Sequence, residues 1–264
     1  MDTVKRWSKV GRIAAVAVLL GLAVLMANGC RKAQRPVLTL SIAASLEPAI
    51  DEVEAVYERQ HGAVEFRNNF GSSGTLAREI EQGAPVDAFI SAGSKPMDQL
   101  ESHGLLLAGT RVNLLRNTLV LIVPAGSGLG GMNELTRSDV RLIALGDPAS
   151  VPAGQYARQA LEAMRLYDKV NAKLVLGKDV RQVLTYVETG NADAGFVYAT
   201  DALSSKSVRV AEAVPEGMHD AIVYPMAVVK GTRNEQAARA FTAFLRLPEA
   251  TAIFSKYGFR MAAS

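Results

Sequence analysis

Four short stretches of the 264-residue chain share one device, a strand that runs into a helix through small or hydroxyl-bearing residues. In the first, residues 38–50, Leu38, Leu40 and Ile42 alternate as on a buried strand. Ile50, Val53 and Tyr57 then fall on one helical stripe. Ser45 sits at the change of period, where its hydroxyl can cap the first free N–H groups. The device recurs at 69–76, ahead of a helical run over 76–81, and at 146–154, ahead of one over 156–164. It recurs again at 177–180, where Asp179 is a ready N-cap for a helix over 180–187. A helix start short of side-chain charge directs N–H groups and the positive end of its dipole outward. At about half a charge per helix end, four such starts would offset about two negative charges. The chemistry this permits is non-covalent capture of a small anion.

Other candidate chemistries are weaker. Residues 126–131 match G-x-G-x-x-G after a strand over 119–123, with Asp147 at the end of the next strand. A nucleotide-dependent oxidoreductase is the enzyme that this motif would support. Pro124 interrupts the junction, however, and the helix that should come next, about 132–139, is too short. A flexible turn explains these glycines more simply. His61, His103 and His219 lie beside Gly or Asp without metal-ligand spacing, so no metal ligand set is assigned. Asp87 and Asp193 precede strands and read as strand-entry caps or braces. The tyrosines, Tyr224 among them, are assigned to packing. Tyr198 is the exception, because it ends a buried strand at the carboxyl edge, where α/β sheets place ligands.

As an ordered set the motifs resemble a family. The pieces are Ala43-Ala44-Ser45-Leu46, Ser72-Ser73-Gly74-Thr75-Leu76 and Gly83-Ala84-Pro85-Val86-Asp87-Ala88-Phe89-Ile90-Ser91-Ala92. After them come Gly146-Asp147-Pro148, Val151-Pro152-Ala153-Gly154, Asp179-Val180-Arg181 and Gly195-Phe196-Val197-Tyr198. Together they resemble the periplasmic molybdate-binding proteins of ABC importers, type II solute-binding proteins, from about Leu38 to Phe259. The resemblance implies an oxyanion site at Ser45, Ser73, Ala153, Val180 and Tyr198. Ser45, Ser73 and Tyr198 would give hydroxyls, while Ala153 and Val180 would give main-chain N–H groups alone. Gly74 departs from the family, where a third serine is common, and is expected to loosen its loop. Glu47 must point away from an anion.

The front of the chain reads as an export signal. Lys5, Arg6, Lys9 and Arg12 precede an apolar core at 13–27, which is short of the roughly 20 residues of a spanning helix. Cys30, the single cysteine, follows this core and resembles a lipoprotein site, although Ala27 and Asn28 depart from the usual pattern there. Ala27 and Gly29 would also suit ordinary signal cleavage. Residues 1–29 hold four of the 29 basic residues and one of the 26 acidic ones, so the remainder carries 25 of each. The basic balance therefore gives no support for a nucleic-acid partner.

The expected organisation is a signal peptide at 1–29, a tether at 30–36, a first lobe at 37–118 with 225–264, and a second lobe at 119–224. Each lobe is expected to be a mostly parallel α/β sheet with flanking helices, the two joined by crossing strands over 117–124 and 221–230. The expected function is extracytoplasmic binding of molybdate, with tungstate as a second ligand, for delivery to an ABC permease. The protein would act as a monomer at a membrane surface, without a cofactor and without catalysis. A sulfate-type oxyanion binder is the alternative, since exclusion of sulfate by size leaves no mark in a sequence.

Overall fold

The computed structural model describes residues 36–62 and 64–262. The expected signal peptide and Cys30 lie outside the described residues. Strand β1 (Val37–Ala43) buries Leu38, Leu40 and Ile42 completely. It pairs in parallel with β2 (Glu65–Gly71) on one side and β3 (Ala88–Ile90) on the other. Helices α1 (Glu47–His61) and α2 (Ser73–Glu81) form the crossovers, and α3 (Ser94–Ser102) follows β3. Strand β4 (Val112–Arg116) is the last of this passage through the first sheet.

Only Asn117 and Thr118 separate β4 from β5 (Leu119–Pro124), which belongs to the second sheet. Next come β6 (Ile143–Gly146), α4 (Pro152–Ala163), α5 (Tyr167–Val170) and β7 (Leu174–Gly177). This lobe is completed by α6 (Val180–Glu188), β8 (Ala194–Tyr198), α7 (Ala199–Leu203) and β9 (Val208–Ala213). The chain then returns to the first sheet with β10 (Val223–Val228), so Tyr224 pairs there with Leu115. Helices α8 (Glu235–Phe244) and α9 (Pro248–Lys256) and the short β11 (Arg260–Met261) finish the first lobe.

The strand orders are β11-β4-β10-β3-β1-β2 and β7-β6-β8-β5-β9. The two-lobed α/β architecture is the one the sequence led us to expect, but the sheets are mixed rather than mostly parallel. Among the described residues four strand pairings are parallel and five antiparallel. Parallel neighbours need a helical crossover. Strands β5 and β10 instead arrive from the other lobe, and they run antiparallel to β8 and β9, and to β3 and β4, respectively.

Both faces of each sheet are covered. Leu76, Ile80, Phe89, Met97 and Leu100 form one apolar layer with Ala227 beneath α2 and α3. Val120, Ile122, Val183, Val187 and Val197 form another beneath α6. Coverage on both sides leaves the carboxyl ends of the central strands as the place where backbone donors come to the surface.

Candidate functional site

The 3-10 turn ahead of α1 and the starts of α2, α4 and α6 meet at one small cavity of about 10 Å³ between the lobes, lined by Ser45, Ser73, Ala153, Val180 and Tyr198 together. The five residues that the sequence singled out are thus brought to one place, and each is at most 5% exposed.

Ser45 lies in a 3-10 turn, Ala44–Leu46, just ahead of α1. The capping role expected for its hydroxyl is not seen. Pro48, the second residue of α1, has no N–H to be capped. The Ser45 hydroxyl is instead 2.9 Å from the hydroxyl of Tyr224 on β10.

Ser73 is the first residue of α2, which begins three residues before the expected start at Leu76. The main-chain N–H of Ala92 donates to its Oγ at 2.9 Å. Ala153 is the second residue of α4, where Pro152 opens the helix at a position that needs no N–H. A Cβ on Gly154 would fall 1.8 Å from the Gly146 carbonyl oxygen, so only glycine lets α4 start this close to β6. Val180 opens α6 behind Asp179, whose Oδ1 accepts the Gln182 N–H at 2.9 Å. No side chain caps α1, α2 or α4, and the N–H groups of a first turn have no partner within the helix.

Tyr198 ends β8 with its side chain fully buried. Its hydroxyl donates across the cleft to the carbonyl of Ala92 at 3.1 Å, so in this structure the proton expected to face an anion is given to the first lobe. Gly74 makes a second crossing contact. Its N–H donates to the Ser150 carbonyl at 2.9 Å, and a Cβ there would be 2.6 Å from that oxygen. Gly74 is therefore a point of close approach and not the loosened loop position we expected.

The glycine motif at 126–131 serves a different purpose. It leads into a single 3-10 turn, Met132–Glu134, whose Met132 N–H donates to the Glu212 carboxylate at 2.7 Å. A carboxylate already occupies the place a pyrophosphate would need. The model of the bacterial extracellular solute-binding proteins matches residues 38–260. The chain belongs to this family.

Among its relatives is the molybdate-binding protein ModA of Escherichia coli, 39% identical over 84% of this chain and 88% of that protein. Bacillus subtilis YvgL, named as a candidate ABC transporter substrate-binding lipoprotein, is 42% identical over 90% of this chain and 94% of its own length. The solved substrate-binding domain of a candidate molybdenum ABC transporter from Clostridium difficile superposes with a TM-score of 0.68 at 42% identity. That match covers 86% of this chain and 99% of the domain. Binding, and not catalysis, is the business of this family.

In this solute-binding protein the ionisable groups around the cavity are turned away or held neutral, apart from Asp179, whose carboxylate caps α6 at the cavity wall. Glu47 does not line the cavity and lies 3.9 Å from Arg181 of the opposite lobe, as an anion site requires. Burial pushes the Tyr198 and Tyr224 hydroxyls well above the usual tyrosine range, so both keep their protons. Asp201, fully buried behind Tyr198, accepts that residue's N–H at 3.1 Å. Burial raises its carboxyl to about 7, against the lowering effect of that bond.

Two contributors escaped the sequence. Tyr224 was assigned to packing, and Ala92, which meets both Ser73 and Tyr198, carries no chemistry in its side chain. The sole sequence signal for Ala92 is its place at the end of the 83–92 motif.

Proposed function

We propose that this solute-binding protein captures molybdate, and tungstate through the same contacts, outside the cytoplasm and passes it to an ABC permease. The observation that carries this reading is the convergence of Ser45, Ser73, Ala153, Val180 and Tyr198 on one cavity at four helix starts. Ser45 and Ser73 would donate hydroxyls, and Ala153 and Val180 their N–H groups. The proton that Tyr198 gives to Ala92 in this structure would turn to the oxyanion when one is bound. Neutral donors suit a fully deprotonated tetrahedral dianion, whereas hydrogen phosphate brings a proton that such a pocket leaves unpaired. The names of the relatives point to the same ligand.

We further propose that Cys30 carries a lipid and that Arg31, Lys32 and Arg35 lie against the membrane, with the protein acting as a monomer. The lipoprotein name of YvgL supports the anchor. Equilibrium dialysis against labelled molybdate, tungstate, sulfate, phosphate and NADH tests the ligand. Tight molybdate binding with weak phosphate binding is expected. Preference for sulfate, or binding of NADH alone, would replace the reading. Mass spectrometry of membrane-extracted protein tests the anchor, and an unmodified Cys30 thiol would remove it.

A further inference from the structure

The hydroxyls of Ser45 and Tyr224 are 2.9 Å apart, and distance alone does not say which one donates. The neighbouring amide does. The main-chain N–H of Thr118 donates to Asn117 Oδ1 at 2.9 Å, which fixes the orientation of the Asn117 side chain and turns its NH2 group the other way. That NH2 group donates to Thr200 Oγ1 at 2.9 Å and to Tyr224 Oη at 3.2 Å. An amide nitrogen has no lone pair to offer, so Tyr224 Oη accepts from Asn117. Burial keeps the tyrosine protonated, and its single proton then goes to the remaining neighbour, Ser45 Oγ.

We infer that Asn117 and Tyr224 are positioning residues that set the direction of the Ser45 hydroxyl, making it a donor into the cavity. The inference rests on the oxyanion reading of the cavity and adds to it the source of one donor's direction. Ser73 is treated in the same way, since its Oγ accepts from the Ala92 N–H and keeps its own proton for the cavity. Asn117 lies between β4 and β5, and its other bond reaches Thr200 in the second lobe, so the chain of donors is anchored on both lobes. A hydroxyl that accepts from Tyr224 cannot give its own proton back to that oxygen, so the proton is left for an anion in the cavity.

The test is a double-mutant cycle of Tyr224→Phe and Ser45→Ala, titrated calorimetrically with molybdate. Melting curves of the unliganded proteins accompany the titrations. Tyr224→Phe removes one oxygen from a buried ring and keeps its shape. It should lower molybdate affinity about three- to tenfold, because the Ser45 proton is no longer held toward the cavity. In the Ser45→Ala background the same change should alter molybdate affinity by no more than about twofold, because Tyr224 acts through Ser45. Equal effects of Tyr224→Phe in both backgrounds, or an unchanged molybdate affinity of the single variant, would overturn the inference and leave molybdate binding intact. Failure of the wild-type protein to bind molybdate would overturn the oxyanion reading, and the inference with it.

Discussion

Gly74 of the first lobe and Ser150 of the second are joined across the cleft by a main-chain hydrogen bond of 2.9 Å, with no room for a side chain between them. Both sit next to cavity-lining residues, Ser73 and Val151. The bond can form only when the lobes are closed, and so the contact ties the geometry of closure to the geometry of the site. Tyr198 and Ala92 do the same from the opposite wall.

Replacing Gly74 by alanine should therefore hold the lobes apart. A methyl group 2.6 Å from an oxygen must be relieved by a backbone shift, which costs about 1–3 kcal/mol, or about 5- to 150-fold in ligand affinity. The unliganded protein should melt close to wild type if its open form tolerates the methyl. Small-angle scattering with and without molybdate, alongside titration, reads both effects. Wild-type affinity and compaction in Gly74→Ala would mean that the liganded protein does not use this contact.

Asp179 offers a separate handle, because it lines the cavity while its carboxylate caps α6. Asparagine caps a helix about as well as aspartate. Asp179→Asn should keep the melting temperature within a degree or two, and should raise molybdate affinity by removing a negative charge from the wall. At about 1 kcal/mol for a screened interaction, the gain is about fivefold. An affinity that falls would show that the carboxylate helps to order the donors.

Stability should depend on pH through Glu54. This residue is 7% exposed on α1; its Oε2 accepts from Asn68, and its Oε1 has no partner. Burial raises its carboxyl from 4.5 to about 7. The folded protein then holds a proton that the unfolded chain has lost, so this contribution is fully present below about pH 4.5 and fades as pH rises to about 7. Glu54→Gln should add about 1–3 kcal/mol at pH 8 and almost nothing at pH 4. Urea unfolding at both values checks it, and an equal change at both would show that ionisation is not the cause.

The sequence made some parts of this fold easy to read. Strand β8 falls where its apolar run placed it, and Asp179 caps α6 as its position required. The starts of α2 and α4 were set a turn or so too late, for one physical reason. Apolar periodicity begins only at Leu76 and Tyr156, because the first turns face the cleft with small residues and meet their neighbours through the backbone. The contact of Gly74 with Ser150 and the bond of Tyr224 to Ser45 join residues far apart in sequence, so no local pattern records them. Polar residues in β4 and β9 break the alternation that would have marked those strands.

Val180 allows a test of binding through the backbone alone. It is the first residue of α6, behind an N-cap in extended conformation, and its side chain is 4% exposed. Proline is welcome at this position because the N–H it lacks has no partner in the helix, and the extended conformation it imposes on Asp179 is already there. Val180→Pro should thus fold like wild type, apart from some lost valine packing, while deleting one hydrogen bond to the anion. Such a bond to a charged group is worth about 1.5–3 kcal/mol, or about 10- to 150-fold in affinity. Val180→Ala keeps the N–H and should bind nearly as tightly as wild type. Calorimetric titration of both variants, with melting curves of the unliganded forms, separates binding from folding. A folded Val180→Pro protein that binds molybdate as tightly as Val180→Ala would remove the Val180 N–H from the site.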